Sequence, residues 1–263
     1  MTRTNCSTRW RSPCHGPERR VGVFLGGAAQ ASVVSEPIPT GCGAVDELLG
    51  GGFERGVVTQ LYGPPAAGKT NLALSAAVET AARGESALFI DTEGISVDRL
   101  EQLASARTSD VDDLASRIIV SDVLDFDQQG EAVRDAEEFA DQVELIVLDS
   151  ATGFYRIRRT EDEEAGDALR TVARQVTHLL SLARKHDLAV VITNQVFTDP
   201  DSDRARPLGG HTLTHWSGVV LRLERFRGGN RRATLEKHQA KPAGDSVQFT
   251  ITGEGLQSVE DVP

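Results

Sequence analysis

The sequence predicts an α/β fold in which helices cover both faces of a mostly parallel central sheet, with a small antiparallel extension at the C-terminal end. From residue 36 onward, short apolar runs rich in β-formers alternate with helical segments, an order typical of parallel sheets. One long segment, residues 165–186, carries Leu169, Val172, Val176 and Leu179 at helical spacing, which predicts a core-facing helix. Three further β-rich runs close the chain.

Residues 1–34 differ from the rest of the chain in composition, in sequence pattern and in charge. They mix Arg, Ser, Pro, Gly and Cys without a periodic apolar pattern, so we expect no stable structure there. Five arginines against one glutamate give this segment a net charge of +4, and Met1 is the only methionine of the chain. Two interpretations stay open: a misplaced translation start, with the native start near Val33 or Val34, or a basic arm that contacts DNA. We place the folded domain at 36–255 and a tail at 256–263.

After residue 34 the chain is acidic and poor in lysine. Its 23 basic and 38 acidic residues give a net charge of −15. Such a surface is typical of proteins from salt-rich cytoplasm, because carboxylates keep it hydrated; an ordinary acidic protein is the alternative. No run approaches the roughly 18 apolar residues of a membrane span, and the start lacks the apolar region of a secretory signal. We therefore expect a cytoplasmic protein that has no membrane partner. Its three cysteines have no metal-ligand spacing.

Apolar runs along the chain define the predicted strands. The parallel sheet is expected to comprise residues 57–62, 87–91, 117–121, 144–149 and 188–193. A loop is expected at 196–210. Residues 219–223, 233–236 and 247–251 are expected to close the sheet as antiparallel strands, with a turn at 227–230.

A phosphate-binding loop follows the first predicted strand. Residues 63–70 match the pattern G-x-x-x-x-G-K-[ST] in full, and a helix is expected to start near Lys69. Gly63 and Gly68 let the backbone turn tightly, so that N–H groups converge on phosphates. The Lys69 ammonium neutralises phosphate charge and the Thr70 hydroxyl ligates Mg²⁺. The octet therefore predicts an ATP and Mg²⁺ site, formed by Gly63, Pro64, Pro65, Ala66, Ala67, Gly68, Lys69 and Thr70.

Polar residues at the ends of three other predicted strands complete this site. Asp149 ends the apolar run 144–149, where open α/β sheets bind ligands, and is the predicted second Mg²⁺ residue. Glu93 is the candidate that accepts a proton from the attacking water. Asp91 or Thr92 is a candidate N-cap for the following helix. Either Asn194 or Gln195 is expected to place an amide at the γ-phosphate.

Together these motifs resemble the archaeal RadA recombinases in order and spacing, over residues 36–255. The resemblance rests on residues 40–52, 63–70, 91–93, 148–150, 193–196 and 206–211. It implies a RecA-type P-loop ATPase core in which Glu93, Lys69 and Gln195 are catalytic. Glu93 matches the catalytic glutamate, and Gln195 matches the glutamine that senses the γ-phosphate and signals to a DNA loop. It also implies that residues near Lys241 cover the ATP of a neighbouring subunit, which leaves self-association open.

Two RadA features are not evident in this sequence: the helix-hairpin-helix domain and the linker motif that docks into a neighbouring subunit. A RadA-like core without them is similar to the archaeal RadB family. That resemblance implies an auxiliary role in homologous recombination and repair, with a RadA-type recombinase and single-stranded DNA as partners.

Candidate DNA-binding residues lie in three places. Arginines in the first two, corresponding to the DNA loops of the family, are offset by nearby acids, Glu161–Glu164 in one and Asp199, Asp201 and Asp203 in the other. The third is a basic stretch after residue 224, where half of the charges are expected to be solvated edge residues. We expect weak DNA binding. The candidates are Arg156, Arg158, Arg159, Arg204, Arg206, Arg231, Arg232 and Lys237.

Other functions remain compatible with the nucleotide motif. A KaiC-like regulatory ATPase or autokinase shares the phosphate loop and the preceding glycine turn, although residues 194–196 and 208–211 favour the recombinase resemblance. A binding module that uses ATP only to fix its conformation, with vestigial hydrolysis, is the second alternative. The preferred prediction is a weak ATPase, and stimulation by DNA stays open.

Overall fold

Strands and helices alternate along the computed structural model, which describes residues 35–158, 165–198 and 205–259. Its strands are β1 (Val58–Tyr62), β2 (Ala87–Asp91), β3 (Ile118–Asp122), β4 (Leu145–Asp149), β5 (Ala189–Asn194), β6 (Val196–Thr198), β7 (Ala205–Pro207), β8 (Val219–Arg225), β9 (Arg231–Lys237), β10 (Ser246–Thr252) and β11 (Gly255–Ser258). Its helices are α1 (Gly43–Leu49), α2 (Lys69–Ala82), α3 (Val97–Ser105), α4 (Val111–Ala115), α5 (Phe126–Phe139), α6 (Gly153–Arg158), α7 (Ala165–His186) and α8 (His211–Trp216).

Nine strands form one sheet in the order β11-β10-β9-β8-β1-β5-β4-β2-β3. The six strands from β8 to β3 are parallel, whereas β9, β10 and β11 are antiparallel to their neighbours. The fold class predicted from the sequence is therefore confirmed. Most of the predicted strands start or end within one or two residues of the observed ones.

Three details differ from the sequence prediction. β8 was expected to be antiparallel, but it pairs in parallel with β1 and is antiparallel only to β9. The reason is that the chain passes through α8 back to the end of the sheet where β1 begins, and β8 starts there. The expected loop at 196–210 contains β6 and β7, which form a separate two-stranded sheet. The C-terminal sheet also continues past the predicted boundary at residue 255, because β11 pairs with β10.

Helices pack on both faces of the sheet, as predicted. One core cluster joins α1, α2 and α3 to the sheet, and the other joins α5, α7 and α8. β4 shows why its sequence is continuously apolar: Leu145 and Val147 belong to the first cluster, and Ile146 and Leu148 to the second. On α7, the predicted stripe is buried at Val172, Val176 and Leu179. Among the described helices, none is long and apolar enough to cross a membrane.

This topology brings the predicted site residues to one edge of the sheet. The phosphate loop follows β1, Glu93 follows β2, Asp149 ends β4 and Gln195 follows β5. These strands run in parallel, so their carboxyl ends meet at the same edge, where ligands bind in open α/β sheets.

Candidate functional site

The phosphate loop is shaped by two glycines that no other residue could replace without strain. A Cβ atom on Gly63 would lie 2.1 Å from the carbonyl oxygen of Leu223 in β8, so the loop packs directly against the neighbouring strand. Gly68 has a φ of 103°, in the left-handed region that favours glycine. The chain then enters α2 at Lys69, which leaves the backbone N–H groups of the first turn available for an anion.

The Lys69 ammonium is held over this loop. Lys69 is only 9% exposed, and its Nζ donates hydrogen bonds to the carbonyl oxygens of Gly63 at 3.0 Å and Pro64 at 3.2 Å. Burial lowers the pKa of Lys69, and the nearby carboxylates of Asp149 and Glu93 oppose that shift. The loop therefore holds a partly desolvated cation at the position where phosphate charge is expected.

Asp149 and Thr70 fit the Mg²⁺ site that the sequence predicts. Asp149 is 1% exposed; its Oδ1 accepts a hydrogen bond from the Thr193 hydroxyl, and its Oδ2 is buried with no hydrogen-bond partner. Burial raises the pKa of Asp149, and the hydroxyls of Thr193 and Thr70 oppose the shift. A buried carboxylate oxygen without a partner is costly and suits a cation ligand.

Within the described ranges, no group of three or more His, Cys, Asp or Glu side chains could form an all-protein metal cage. Mg²⁺ in nucleotide sites typically uses one or two protein ligands together with phosphates and water. The small donor set of Asp149 and Thr70 therefore matches the chemistry of a nucleotide-bound Mg²⁺ better than that of a structural metal.

Glu93 is fixed by donors from two other strand ends. Its Oε1 accepts hydrogen bonds from Gln195 Nε2 at 2.7 Å and from Ser150 Oγ at 2.9 Å. The loop that carries Glu93 is fixed by Asp91, whose carboxylate accepts from the backbone N–H groups of residues 93, 94 and 95. The expected helix cap is therefore elsewhere: Ser96 is the N-cap of α3, while Asp91 shapes the loop before it.

The two amides at the end of β5 have different surroundings. Asn194 is fully buried; its Oδ1 accepts from the Thr152 hydroxyl at 2.6 Å, and its Nδ2 donates to the Leu208 carbonyl at 2.8 Å. Gln195 instead faces the cleft, and its Oε1 accepts a hydrogen bond from an Arg156 Nη at 3.2 Å. Of the two amides, only Gln195 lines the cleft, and Asn194 instead holds the Leu208 carbonyl of the following segment.

These side chains surround a cleft of about 180 Å³ at the carboxyl edge of the sheet. Its lining combines the phosphate loop with the two polar residues from β2 and β5: Pro65, Ala66, Gly68, Lys69, Thr70, Asn71, Glu93 and Gln195. A larger groove of about 950 Å³ lies between α3 and the β10–β11 turn and contains none of the predicted site residues.

Three residues near the site were not singled out from the sequence. Ser150 and Thr193 position Glu93 and Asp149 through their hydroxyls. Ser150 directly follows one predicted strand and Thr193 is the last residue of another, and this position at a strand end is the signal that identifies them. Arg99 of α3 donates to the Asn71 side chain at 2.8 Å and to the Thr252 carbonyl at 2.7 Å, joining α2, α3 and β10 beside the cleft. No spacing in the sequence indicates that last contact.

The predicted DNA-binding residues are not brought together. Arg156 is exposed on α6, where Arg158 also lies, and Arg206 is exposed on β7; Arg159 and Arg204 lie outside the described residues. The Arg232 guanidinium lies 4.6 Å from the centre of the Phe226 ring. Lys237 Nζ donates to the carbonyls of Thr214 at 2.8 Å and Ser217 at 2.6 Å, at the C-terminal end of α8. Arg231 lies against the phosphate loop.

Lys241, which the resemblance associates with a neighbouring subunit, contacts its own chain in this structure. Its Nζ donates to the carbonyl oxygens of Glu47 at 3.0 Å and Leu48 at 2.9 Å. These carbonyls lie at the C-terminal end of α1, where the helix dipole favours a cation.

Comparisons with known proteins match most of the chain. A family model described as Rad51 matches residues 30–259. The DNA repair and recombination protein RadB of Halobacterium salinarum is 67% identical over 223 residues, covering 84% of this chain and 94% of that protein. The protein of the same description from Methanococcoides burtonii is 41% identical over 225 residues, covering 85% and 99%. A solved structure described as the RadB recombinase superposes with a TM-score of 0.71 at 35% identity, covering 85% of this chain and 100% of that chain.

Proposed function

This chain belongs to the Rad51 family, and from that premise we propose that it is an ATP-binding DNA repair and recombination protein, hydrolysing ATP weakly and assisting a RadA-type recombinase on single-stranded DNA. The RadB proteins that it resembles are described as DNA repair and recombination proteins.

ATP binding is supported by the match between the cleft and a phosphate chain. The loop offers backbone N–H groups at the start of α2 together with the buried Lys69 ammonium. Asp149 and Thr70 would hold Mg²⁺, whose charge stabilises the transferring phosphate when the ion is bound. The unpartnered Oδ2 of Asp149 supports that assignment.

Hydrolysis is supported by Glu93, whose exposed carboxylate lines the cleft and is able to accept a proton from water. Its Oε1 already receives hydrogen bonds from Gln195 and Ser150. The second hydrogen of Gln195 Nε2 is available to a γ-phosphate, and if the amide turns fully toward that phosphate, Glu93 Oε1 loses a donor that competes with water. We infer that hydrolysis is slow whenever the bond between Glu93 and Gln195 is intact.

One observation carries the proposed link to DNA: Gln195 contacts Glu93 with its Nε2 and Arg156 with its Oε1. The contacts join the nucleotide cleft to α6, which carries part of the predicted DNA-binding segment. A DNA phosphate competes for the exposed Arg156 guanidinium by a charge-assisted hydrogen bond. Binding there would release Gln195 Oε1 and loosen its bond with Glu93, so DNA is expected to increase hydrolysis.

An assisting role is favoured over an independent recombinase because the cationic candidates for DNA contact are few. Within the described residues, the Lys237 ammonium caps α8 and the Arg232 guanidinium packs on Phe226. The acidic residues that follow in sequence further offset the arginines at 156–159. Such a protein is expected to need a partner with stronger DNA affinity.

Steady-state ATP turnover, measured with and without single-stranded DNA over a range of salt concentrations, tests this function. We expect slow turnover that rises when DNA is added, with a Lys69→Ala variant as the background control. If calorimetry detects ATP binding but turnover never exceeds that background, the chain is an ATP-dependent binding module. If calorimetry detects no ATP binding, the assignment of the nucleotide site is wrong.

A further inference from the structure

Two arginines face each other at the end of the hairpin formed by β8 and β9. The strand register places Arg225 directly opposite Arg231. Directly opposed residues of an antiparallel pair project from the same face of the sheet, and like charges in that arrangement are destabilising. We call these two residues the arginine pair.

The charges on the two faces of this hairpin are balanced differently. Side chains alternate between faces along a strand, so the arginine pair shares its face with Leu223 and Ala233, which are buried in the core under α2. On the opposite face, Arg222 lies 3.5 Å from both Glu224 and Glu236. In the part of the chain that the structure describes, no carboxylate forms an ion pair with either member of the arginine pair.

Arg231 lies directly against the phosphate loop. A Cβ atom built on Gly68 would be 3.3 Å from Arg231 Cδ and 3.4 Å from Arg231 Nε. That Nε is buried and has no hydrogen-bond partner, while one Nη donates to the Gly229 carbonyl within the hairpin turn. Burial, and to a lesser extent the charge of Arg225, lowers the pKa of Arg231. A desolvated guanidinium beside another cation is stabilised by an anion.

We propose that Arg231 binds the phosphate chain of the nucleotide from the β9 side of the phosphate loop, with Arg225 adding positive charge. The proposal rests on ATP being the ligand of this site and adds a cation that the loop motif does not contain. It also separates Arg231 from Arg232, which projects from the opposite face of the same strand.

The topology further indicates which phosphates Arg231 contacts. Glu93, Asp149 and Gln195 follow β2, β4 and β5, all on one side of β1, whereas β8 and β9 lie on the other side. The γ-phosphate is expected toward the first group, where water is activated. Arg231 therefore contacts the α- and β-phosphates, which ATP and ADP share.

A DNA backbone phosphate is the competing ligand, and the position of Nε disfavours it. The atom is closed off from solvent against Gly68, so the guanidinium stem is oriented toward the loop and not toward an open surface. Binding a polymer there would require the hairpin to move away from the phosphate loop, whereas a nucleotide in the loop would reach Arg231 without that movement.

Titration of fluorescent ATP and ADP analogues into the full chain tests the proposal with the variants Arg231→Gln and Arg231→Lys. We expect Arg231→Gln to weaken both nucleotides by about tenfold or more, the loss typical of one hydrogen bond to a charged group, with the ratio of the two dissociation constants unchanged. Arg231→Lys should retain part of the affinity. The matched control is Arg222→Gln, on the opposite face of the same hairpin, which should change affinity less than twofold.

Thermal unfolding gives a second readout that does not depend on fluorescence. Without nucleotide, Arg231→Gln should be as stable as the parent or more stable, because the like-charge contact with Arg225 is removed. Its rise in Tm on adding ADP should be smaller than that of the parent, since ligand stabilisation follows affinity.

Three results would overturn the proposal. The first is an unchanged affinity for both nucleotides in Arg231→Gln together with weaker binding of single-stranded DNA, which assigns the arginine pair to DNA. The second is a loss of ATP affinity without a loss of ADP affinity, which places Arg231 at the γ-phosphate. The third is an equal loss in Arg222→Gln, which shows a general effect on the hairpin. Failure of the parent to bind either nucleotide would instead refute the proposed function.

Discussion

Gln195 Nε2 lies 2.7 Å from Glu93 Oε1, so the candidate phosphate sensor and the candidate catalytic base are bonded to each other. The two residues follow different strands, β5 and β2, and meet because both strands end at the same edge of the sheet. Under the proposed function, this hydrogen bond couples the contact of Gln195 with a phosphate to the access of water to Glu93.

Removing the buried ammonium of the phosphate loop should abolish nucleotide binding. Lys69→Ala leaves phosphate oxygens without their main cationic partner, and among the described residues no other lysine lines the cleft. Isothermal titration calorimetry should show heat of ATP binding for the parent and none for the variant. Lys185→Ala, a change in an exposed ion pair with Glu137, is the control. An unchanged ATP affinity in Lys69→Ala would refute the assignment of the ATP site to this loop.

Glu93→Gln should separate binding from hydrolysis. The amide oxygen is able to keep the acceptor position for Gln195 and Ser150, but the amide takes no proton from water. We expect ATP affinity within a few-fold of the parent and turnover slower by about 10²–10⁴-fold, the contribution typical of a general base. Single-turnover measurements at saturating ATP check the chemical step. Equal turnover in variant and parent would exclude Glu93 as the base.

The sequence was sufficient to predict the central strands because each is buried on both faces. β4 alternates Leu145 and Val147 toward one core with Ile146 and Leu148 toward the other, so every position is apolar and the run is unmistakable. β6 and β7 were missed because three-residue strands carry no periodic signal. The predicted direction of β8 was wrong because the direction depends on the path that the chain takes through α8. Residues 219–223 by themselves carry no information about that path.

The contrast between features that local sequence encodes and features that depend on the fold also explains which site residues were predicted. Glu93, Asp149 and Gln195 could be located because strand ends are readable in the sequence and parallel strands align them. The sequence could not show which of the basic residues after β8 face the nucleotide cleft, because charge alone does not indicate which face of a strand a side chain occupies. Register places Arg231 beside Gly68 and Arg232 on the other face, and the fold places the Lys237 ammonium on the last carbonyls of α8.

Arg156 should control how strongly DNA stimulates hydrolysis. Its contact with Gln195 Oε1 at 3.2 Å is the step that links α6 to the cleft. In Arg156→Ala we expect the ratio of turnover with single-stranded DNA to turnover without it to fall toward one. Arg170→Ala, which removes an exposed ion pair with Asp167 on α7, should leave that ratio unaltered. Full stimulation in Arg156→Ala would show that the signal takes another route.

Lys237 should contribute to stability more than to DNA binding. Lys237→Ala leaves the carbonyls of Thr214 and Ser217 without their cation, so we expect the free energy of unfolding to fall by about 1–3 kcal/mol. Denaturant titration measures this change, and Lys185→Ala should cost about 0–1 kcal/mol as an exposed pair. If Lys237→Ala leaves the stability unchanged and greatly weakens DNA binding, Lys237 belongs to the DNA-binding site as first predicted.

The last prediction concerns the role of the ATPase in recombination. A recombinase that acts alone must coat single-stranded DNA, which requires a strong grip repeated along the strand. Here the acidic body repels phosphates, and at 1 M salt the Debye length of about 3 Å leaves little long-range attraction. We therefore expect little or no strand exchange by this protein alone. Added to a RadA-type recombinase, it should bind that protein and increase its loading on single-stranded DNA.

A strand-exchange assay, run across salt concentrations with each protein alone and with both together, checks this expectation. Lys69→Ala is the control variant, because it shows whether the assistance requires ATP. Robust exchange by this protein alone would establish it as a recombinase in its own right. Absence of any effect on the partner's loading, at every salt concentration, would refute the assisting role and favour a regulatory ATPase. Assistance that persists in Lys69→Ala would show that the contact with the partner, and not the nucleotide, supplies the effect.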